Sequence, residues 1–301
     1  MKVKDAIIGF AVGDALGVPH EFKSRDELVN DPVTAMDSGG IHGQPSGTWS
    51  DDTSMIIATM TSIINRKSVD CDDIMKEFQN WLNCKLYTPY GEVFDCGITT
   101  SDAIKRYGDN IPAVECGGKD ESDNGNGSLM RILPLAFLDV DYKTVENVSS
   151  LTHATERAKI TCALYVEIAK SMIENETLTV EEHVRNASER IISHYAGSAE
   201  LEKLKRVFDN DYSQGIKSSG YVIYTLESAI YCLETTGNYR DAVLKAVNLG
   251  GDTDTIAGVC GGLAGIYYGY DSIPIDWLDE IVKLDELLSL CEKFEGLNDE
   301  S

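Results

Sequence analysis

Apolar positions recur along most of the chain at the three-to-four-residue spacing of an amphipathic helix. Strict apolar–polar alternation, the mark of a half-buried strand, is almost absent. The spacing predicts helices near residues 4–16, 52–65, 71–84, 100–106, 128–138, 143–151, 154–174, 180–195, 199–208, 220–235, 239–248, 254–268 and 276–293. Some ends carry their own signals. Gly17, Val18 and Pro19 close the first helix. Thr179, followed three residues later by Glu182, has the spacing of a capping box, in which cap and glutamate each satisfy a backbone N–H at the other's position. The pattern describes an all-α protein.

No shift in composition divides the chain and no repeat of solenoid period appears, so residues 1–301 read as a single domain. Two irregular stretches stand out, 31–50 and 117–127, both rich in glycine and polar residues. Long loops inside a compact domain tend to carry function. The first helix contains Gly9 and Gly13, and the one near 254–268 contains Gly258, Gly261, Gly262 and Gly265. Each glycine costs a helix roughly 1 kcal/mol relative to alanine. Several in one helix therefore point to another backbone passing very close.

Charge and cysteine usage narrow the possibilities. With 26 basic and 50 acidic residues the net charge is -24, which repels nucleic-acid phosphates and anionic membrane surfaces. Asp5 and Asp14 break up the apolar N-terminal run, so no signal peptide is expected, and no apolar stretch is long enough for a membrane span. The eight cysteines stand singly, with no C-x-x-C pair, which fits reduced thiols in a cytoplasm better than a disulfide framework or a zinc site. No heptad seam suggests an oligomer, and a monomer is expected.

The sharpest chemistry lies at two acidic helix starts, GTWSDDTSM at 47–55 and GGDTDTIAG at 250–258. A serine cap followed by aspartates is also ordinary helix-start chemistry, because early acids complement the helix dipole by about 0.3–1 kcal/mol each. Two such clusters at the mouths of apolar helices are harder to account for in that way, since buried carboxylates repel one another unless something neutralises them. Ser50, Asp51, Asp52, Asp252, Asp254 and Thr255 offer enough hard oxygens for two divalent cations. No histidine or cysteine is expected near the metal-facing end of either motif, which favours Mg²⁺ or Mn²⁺.

At these residues the chain resembles the ADP-ribosylglycohydrolase family. The resemblance runs through GDALGVPHEF, GTWSDDTSM, FDCGITT, GNGSLMRILPLA, THATERA, SGYVIYTLESAIYC and GGDTDTIAG in that order, covering most of the chain. It implies an all-α fold, a dinuclear Mg²⁺ or Mn²⁺ site built from the two acidic motifs, and hydrolysis of the glycosidic bond between ADP-ribose and an acceptor. The acceptor would be an ADP-ribosylated protein or a small-molecule ADP-ribose conjugate, with Asp95 tilting the reading toward arginine. The resemblance further implies that Glu21 positions or activates water and that Asp95 lies beside metal and ribose. Asn126, Gly127, Ser128, Met130 and His153 would run along the ADP-ribose. Ser50 stands where threonine is commoner, and Cys96 where a small aliphatic residue is commoner.

From the residues themselves, the 117–127 loop leading into Ser128 suggests a nest of backbone N–H groups for a diphosphate. Tyr221, after Gly220 at a helix start, could stack on adenine. Arg131 reads equally as a diphosphate ligand or a helix-surface residue. His20, His42, His183 and His194 carry no usable signal. Catalytic roles are expected for Glu21, Asp95 and Asp52. A metal-dependent nucleotide phosphohydrolase and a non-enzymatic, crystallin-like structural protein are the alternatives. The second would be free to lose Asp52 or Asp254, and both are present.

Overall fold

The computed structural model describes residues 2–298. Its helices are α1 (Val3–Gly17), α2 (Arg25–Asn30), α3 (Asp51–Arg66), α4 (Cys71–Cys84), α5 (Ile98–Gly108), α6 (Tyr142–Ser150) and α7 (Glu156–Glu174). They continue with α8 (Val180–His194), α9 (Lys205–Phe208), α10 (Val222–Glu234), α11 (Tyr239–Val247), α12 (Thr253–Tyr268), α13 (Ile275–Leu278) and α14 (Leu284–Glu295). No strand occurs among the described residues, so the all-α reading holds. No helix among them is long and apolar enough to cross a membrane.

Helices α1 and α12 are apolar on nearly every side and are buried along almost their whole length, the signature of a central helix pair. Their backbones touch. A Cβ added to Gly9 would lie 2.4 Å from Gly261 O, one on Gly13 2.0 Å from Ala257 O, and one on Gly17 2.3 Å from Asp254 Cα. The glycines read from the sequence are thus the contact surface itself. The two helices run antiparallel, so the C-terminal end of α1 meets the N-terminal end of α12. There Thr253 Oγ1 donates to Gly17 O at 2.8 Å. Helices α3, α7, α10, α11 and α14 pack around this pair, and amphipathic helices such as α4 cover the outside.

Three expected helices take other forms. Residues 128–138 form two 3-10 segments, Leu129–Arg131 and Leu133–Phe137, rather than an α-helix. Pro134 has no N–H to donate and disfavours α geometry at the residue before it. The stretch 199–208 starts as a 3-10 segment, Ala199–Leu204, before the single α turn of α9. The helix expected over 276–293 breaks between α13 and α14. There Val282 N–H donates to Gly47 O at 3.1 Å, and Lys283 turns left-handed. This break buttresses the loop ahead of α3, since Trp49 Nε1 donates to Val282 O at 2.9 Å. Helix α2 was not anticipated, although Ser24 and Glu27 form a complete capping box at its start.

The α1–α12 contact leaves no room for a methyl group. Gly13→Ala is expected to lower the unfolding free energy by roughly 1–3 kcal/mol, the range for overpacking a rigid core. Gly237→Ala, where an added Cβ meets open space, should change it by less than about 0.5 kcal/mol. Urea unfolding of both variants checks the pair, and equal effects would contradict the account.

Candidate active site

The antiparallel contact of α1 and α12 brings three helix ends to one point. Asp14, fully buried on α1, reaches across to the start of α3. Its carboxylate accepts from Ser50 N–H at 2.9 Å, from Thr53 N–H at 3.1 Å and from Thr53 Oγ1 at 2.6 Å. Ser50 Oγ accepts from Asp52 N–H at 3.2 Å. Asp14 and Ser50 therefore satisfy the first donors of α3, a task that Asp51 and Asp52 would otherwise be suited to. At α12, the left-handed Gly250 and Gly251 turn the chain into Asp252, whose carboxylate accepts from Asn126 Nδ2 at 2.8 Å.

Glu21 is pinned to the same point by a short backbone bridge. Phe22 N–H donates to Gly251 O, and Gly251 N–H donates to Lys23 O, each at 2.8 Å. The Glu21 carboxylate lies 2.5 Å from His42 Nε2, and Asp95 Oδ1 lies 3.8 Å from the same nitrogen. Asp95 itself holds a left-handed backbone, φ 55°, which is uncommon outside glycine and tends to persist where function requires it.

The ligand atoms of Glu21, Asp252 and Asp254 all lie within 4.8 Å of one another, as do those of Glu21, His42 and Asp95. Two candidate cation clusters thus share Glu21. Asp52 Oδ2 and both carboxylate oxygens of Asp254 are buried and meet no hydrogen-bond donor. Burial, reinforced by the neighbouring acids, holds the carboxyls of Asp51, Asp52 and Asp254 well above their ordinary range. Burial, then Asp95 and Asp252, pushes Glu21 up to about 9. Asp14 rises only to about 6, because the hydrogen bonds from Thr53 and Ser50 offset much of its burial. Buried acids this close, with free lone pairs and no donors, need protons or a cation between them. The donor set fits a hard divalent ion. His42 corrects the expectation that no histidine stands at the metal-facing end. An imidazole in one cluster widens the ions that could sit there, since nitrogen ligands also suit softer metals.

A cleft of about 260 Å³ opens onto these carboxylates. Of the expected residues, the acidic Glu21, Asp51, Asp52, Asp95 and Asp252 line it with Thr255, together with the uncharged Asn126, Gly127, Met130 and His153. Asp254 lies just behind, within the Glu21 cluster. Gly220 O accepts from Asn126 N–H at 2.9 Å, and a Cβ at Gly220 would come 2.9 Å from Asp252 Oδ2. Tyr221 stands beyond the cleft wall, half-buried, packed against Tyr224 with Arg157 over its ring.

Other expected residues fall elsewhere. Ser128 is behind the wall, fully buried, with its hydroxyl 3.0 Å from Ser149 Oγ, to which it donates. Arg131 is neither a diphosphate ligand nor a surface residue, because it is wholly buried over the Phe78 ring. The N–H groups of Gly117, Gly118, Asp120, Asp123 and Asn126 all donate to protein acceptors, so the loop offers no continuous anion nest. Sequence reasoning missed Asp14 and His42. An acid inside the apolar and small-residue run FAVGDALG marked the first. The glycine-rich loop around 31–50 marked the neighbourhood of the second, but not the residue.

The raised carboxyls carry a pH signature. Glu21 is held near 9 in the folded chain against an ordinary 4.5. Between those values the folded state binds more protons than the unfolded state, so the stability of the cation-free protein falls as pH rises. A divalent cation displaces those protons and binds more tightly at higher pH. Thermal unfolding with and without Mn²⁺ should show a stabilisation that grows from about pH 6 to about pH 8.5. At a free cation concentration a hundredfold above Kd it should reach about 2.7 kcal/mol per ion. A shift that is absent, or equal at every pH, would contradict this reading.

Comparison with known proteins agrees with this geometry. A family model described as ADP-ribosylglycohydrolase matches residues 1–301. The chain is 32% identical to ADP-ribosylarginine hydrolase Tri1 of Serratia proteamaculans, over 97% of this chain and 78% of that protein. It is 28% identical to ADP-ribosyl-[dinitrogen reductase] glycohydrolase of Rhodospirillum rubrum, over 92% and 88% of the two chains. A solved structure titled ADP-ribosylglycohydrolase-related protein complex superposes with a TM-score of 0.83 and 26% identity, covering 98% of this chain and 97% of that one. The chain belongs to the ADP-ribosylglycohydrolase family, and is an enzyme of the glycosidic-bond hydrolase class.

Proposed function

We propose that the cleft binds ADP-ribose linked to an acceptor and hydrolyses the bond between the distal ribose and that acceptor, with arginine on a protein as the preferred acceptor. The observation that carries this reading is the set of buried, donorless carboxylate oxygens of Asp52 and Asp254 close to Glu21, in a cleft also lined by uncharged Asn126, Gly127, Met130 and His153. The names of the relatives from Serratia and Rhodospirillum support the class of bond, and the first of them supports arginine.

In this proposal Ser50, Asp51, Asp52, Asp252, Asp254 and Thr255 hold two divalent cations, Mg²⁺ or Mn²⁺. When bound, such cations neutralise the carboxylates, orient ribose hydroxyls and polarise water. Glu21 takes the proton from the attacking water, with His42 fixing the direction of its carboxylate. Asp95 steadies the ribose or the departing group. Asn126, Gly127, Met130 and His153 form the wall along which the sugar and diphosphate lie. Gly220 keeps space open beside Asp252, and Tyr221 offers a ring face for adenine beyond the wall. Ser128 supports that wall from behind. The sugar passes through an oxocarbenium-like state, as in other glycoside hydrolysis.

Asp254→Asn separates function from folding. It removes a charge from a crowded buried site, so the cation-free variant should unfold at a higher temperature than the parent protein. Release of free ADP-ribose from an ADP-ribosyl-arginine peptide should fall by roughly 10²-fold or more. Chelator should abolish the parent's activity, and an ADP-ribosyl-serine peptide should be the poorer substrate. Release of AMP instead of intact ADP-ribose would identify a diphosphate cut and overturn the proposal.

A further inference from the structure

Arg131 lies in the core with no exposed surface, yet among the described residues its hydrogen bonds go to no carboxylate. Among the described residues its Nε and Nη1 find no acceptor, and its guanidinium rests 4.7 Å above the Phe78 ring. Its hydrogen bonds come from Nη2, to Val148 O at 3.1 Å and to Thr152 Oγ1 at 2.8 Å. A buried arginine without a counter-charge is an expensive way to stabilise a fold. Its position next to Thr152 suggests another use.

Thr152 Oγ1 has two neighbours, Arg131 Nη2 and His153 Nδ1, the latter at 2.9 Å. Arginine can only donate, so the Thr152 oxygen accepts from it. The hydroxyl hydrogen then has one acceptor within reach, His153 Nδ1. If Nδ1 carried the proton instead, the Thr152 O–H would be buried without a partner, at a cost of about 1–3 kcal/mol. The histidine backbone is clamped as well. His153 N–H donates to Ser149 O at 2.9 Å, and Ser149 Oγ donates to His153 O at 3.0 Å. With Nδ1 turned to Thr152, Nε2 lies on the opposite side of the ring, toward the glycines of the cleft. A Cβ at Gly125 would sit 3.4 Å from Nε2, and one at Gly127 2.7 Å from Cε1.

We propose that Arg131 and Thr152 are positioning residues that lock His153 as its Nε2–H tautomer, a fixed hydrogen-bond donor aimed into the cleft at an oxygen of bound ADP-ribose. The donor half of this statement rests on the function proposed above, whereas the tautomer half does not. Burial and the nearby Arg131 charge push the His153 imidazole down to about 3, so it stays uncharged at neutral pH. It therefore neither repels the divalent ions proposed opposite it nor acts as a proton donor in the reaction. A neutral N–H that cannot flip its tautomer recognises an acceptor oxygen, and a donor at the same place on the ligand would be rejected.

The test is a long-range ¹H–¹⁵N spectrum of the full-length protein at neutral pH, joined to calorimetry with ADP-ribose. His153 should appear as a single Nε2–H tautomer before ligand is added, and its Nε2–H signal should shift on binding. Thr152→Val, which keeps the shape and deletes the hydroxyl, should show Nδ1–H or a mixture and bind ADP-ribose roughly tenfold more weakly, the loss of one hydrogen bond. Thr152→Ser should restore both. A parent spectrum showing Nδ1–H, a mixture or a doubly protonated ring would overturn the lock, whether or not the variants fold. ADP-ribose binding that leaves Nε2–H unmoved would overturn the donor role. If ADP-ribose does not bind the parent protein at all, the Nε2–H signal still decides the lock, and the proposed function is what fails.

Discussion

The backbone contact between α1 and α12 is the constraint on which the rest of the structure depends. Glycines along both helices let their main chains approach to a distance that no residue with a Cβ tolerates at those positions. Because the pair is antiparallel, the end of one helix is forced against the start of the other, and Asp254 is carried to the turn that holds Glu21. Asp14 then draws in the start of α3 through hydrogen bonds to Ser50 and Thr53. A site made of three helix ends is thereby built on the most rigid part of the molecule, which is what a reaction needing fixed geometry requires.

That rigidity has an electrostatic cost. The same packing that locates the acids also removes them from water and crowds them together, so their carboxyls rise far from their usual range. In the proposed function a divalent cation supplies the counter-charge, which would couple cation binding, pH and folding in a single equilibrium. His153, which stays uncharged, lines the same cleft.

Much of the architecture was legible in the sequence. Helical periodicity placed most elements, because long amphipathic segments declare their period. The paired acidic starts at 50–52 and 252–254 stood out by recurring in the same context, and the fold brings them to one cleft. The failures have physical causes. Pro134 overrode an apolar pattern that looked helical. The break before Lys283 depended on a hydrogen bond to Gly47, more than two hundred residues away, which no local pattern carries. His42 reaches Glu21 only because a loop folds over the end of α1. Arg131 looked like a surface or ligand residue because arginine usually is one, and its burial is a tertiary fact. Ser128 adjoins residues that do line the cleft, but the 3-10 turn that follows points it inward.

The most direct measurement is anomalous diffraction from crystals of the protein grown with Mn²⁺. The account predicts strong manganese peaks at the meeting of the three helix ends, bounded by Asp52, Asp254 and the carboxylates around Glu21. Manganese confined to surface acids, with the carboxyls of Glu21, Asp95 and Asp254 contacting one another through shared protons, would contradict it.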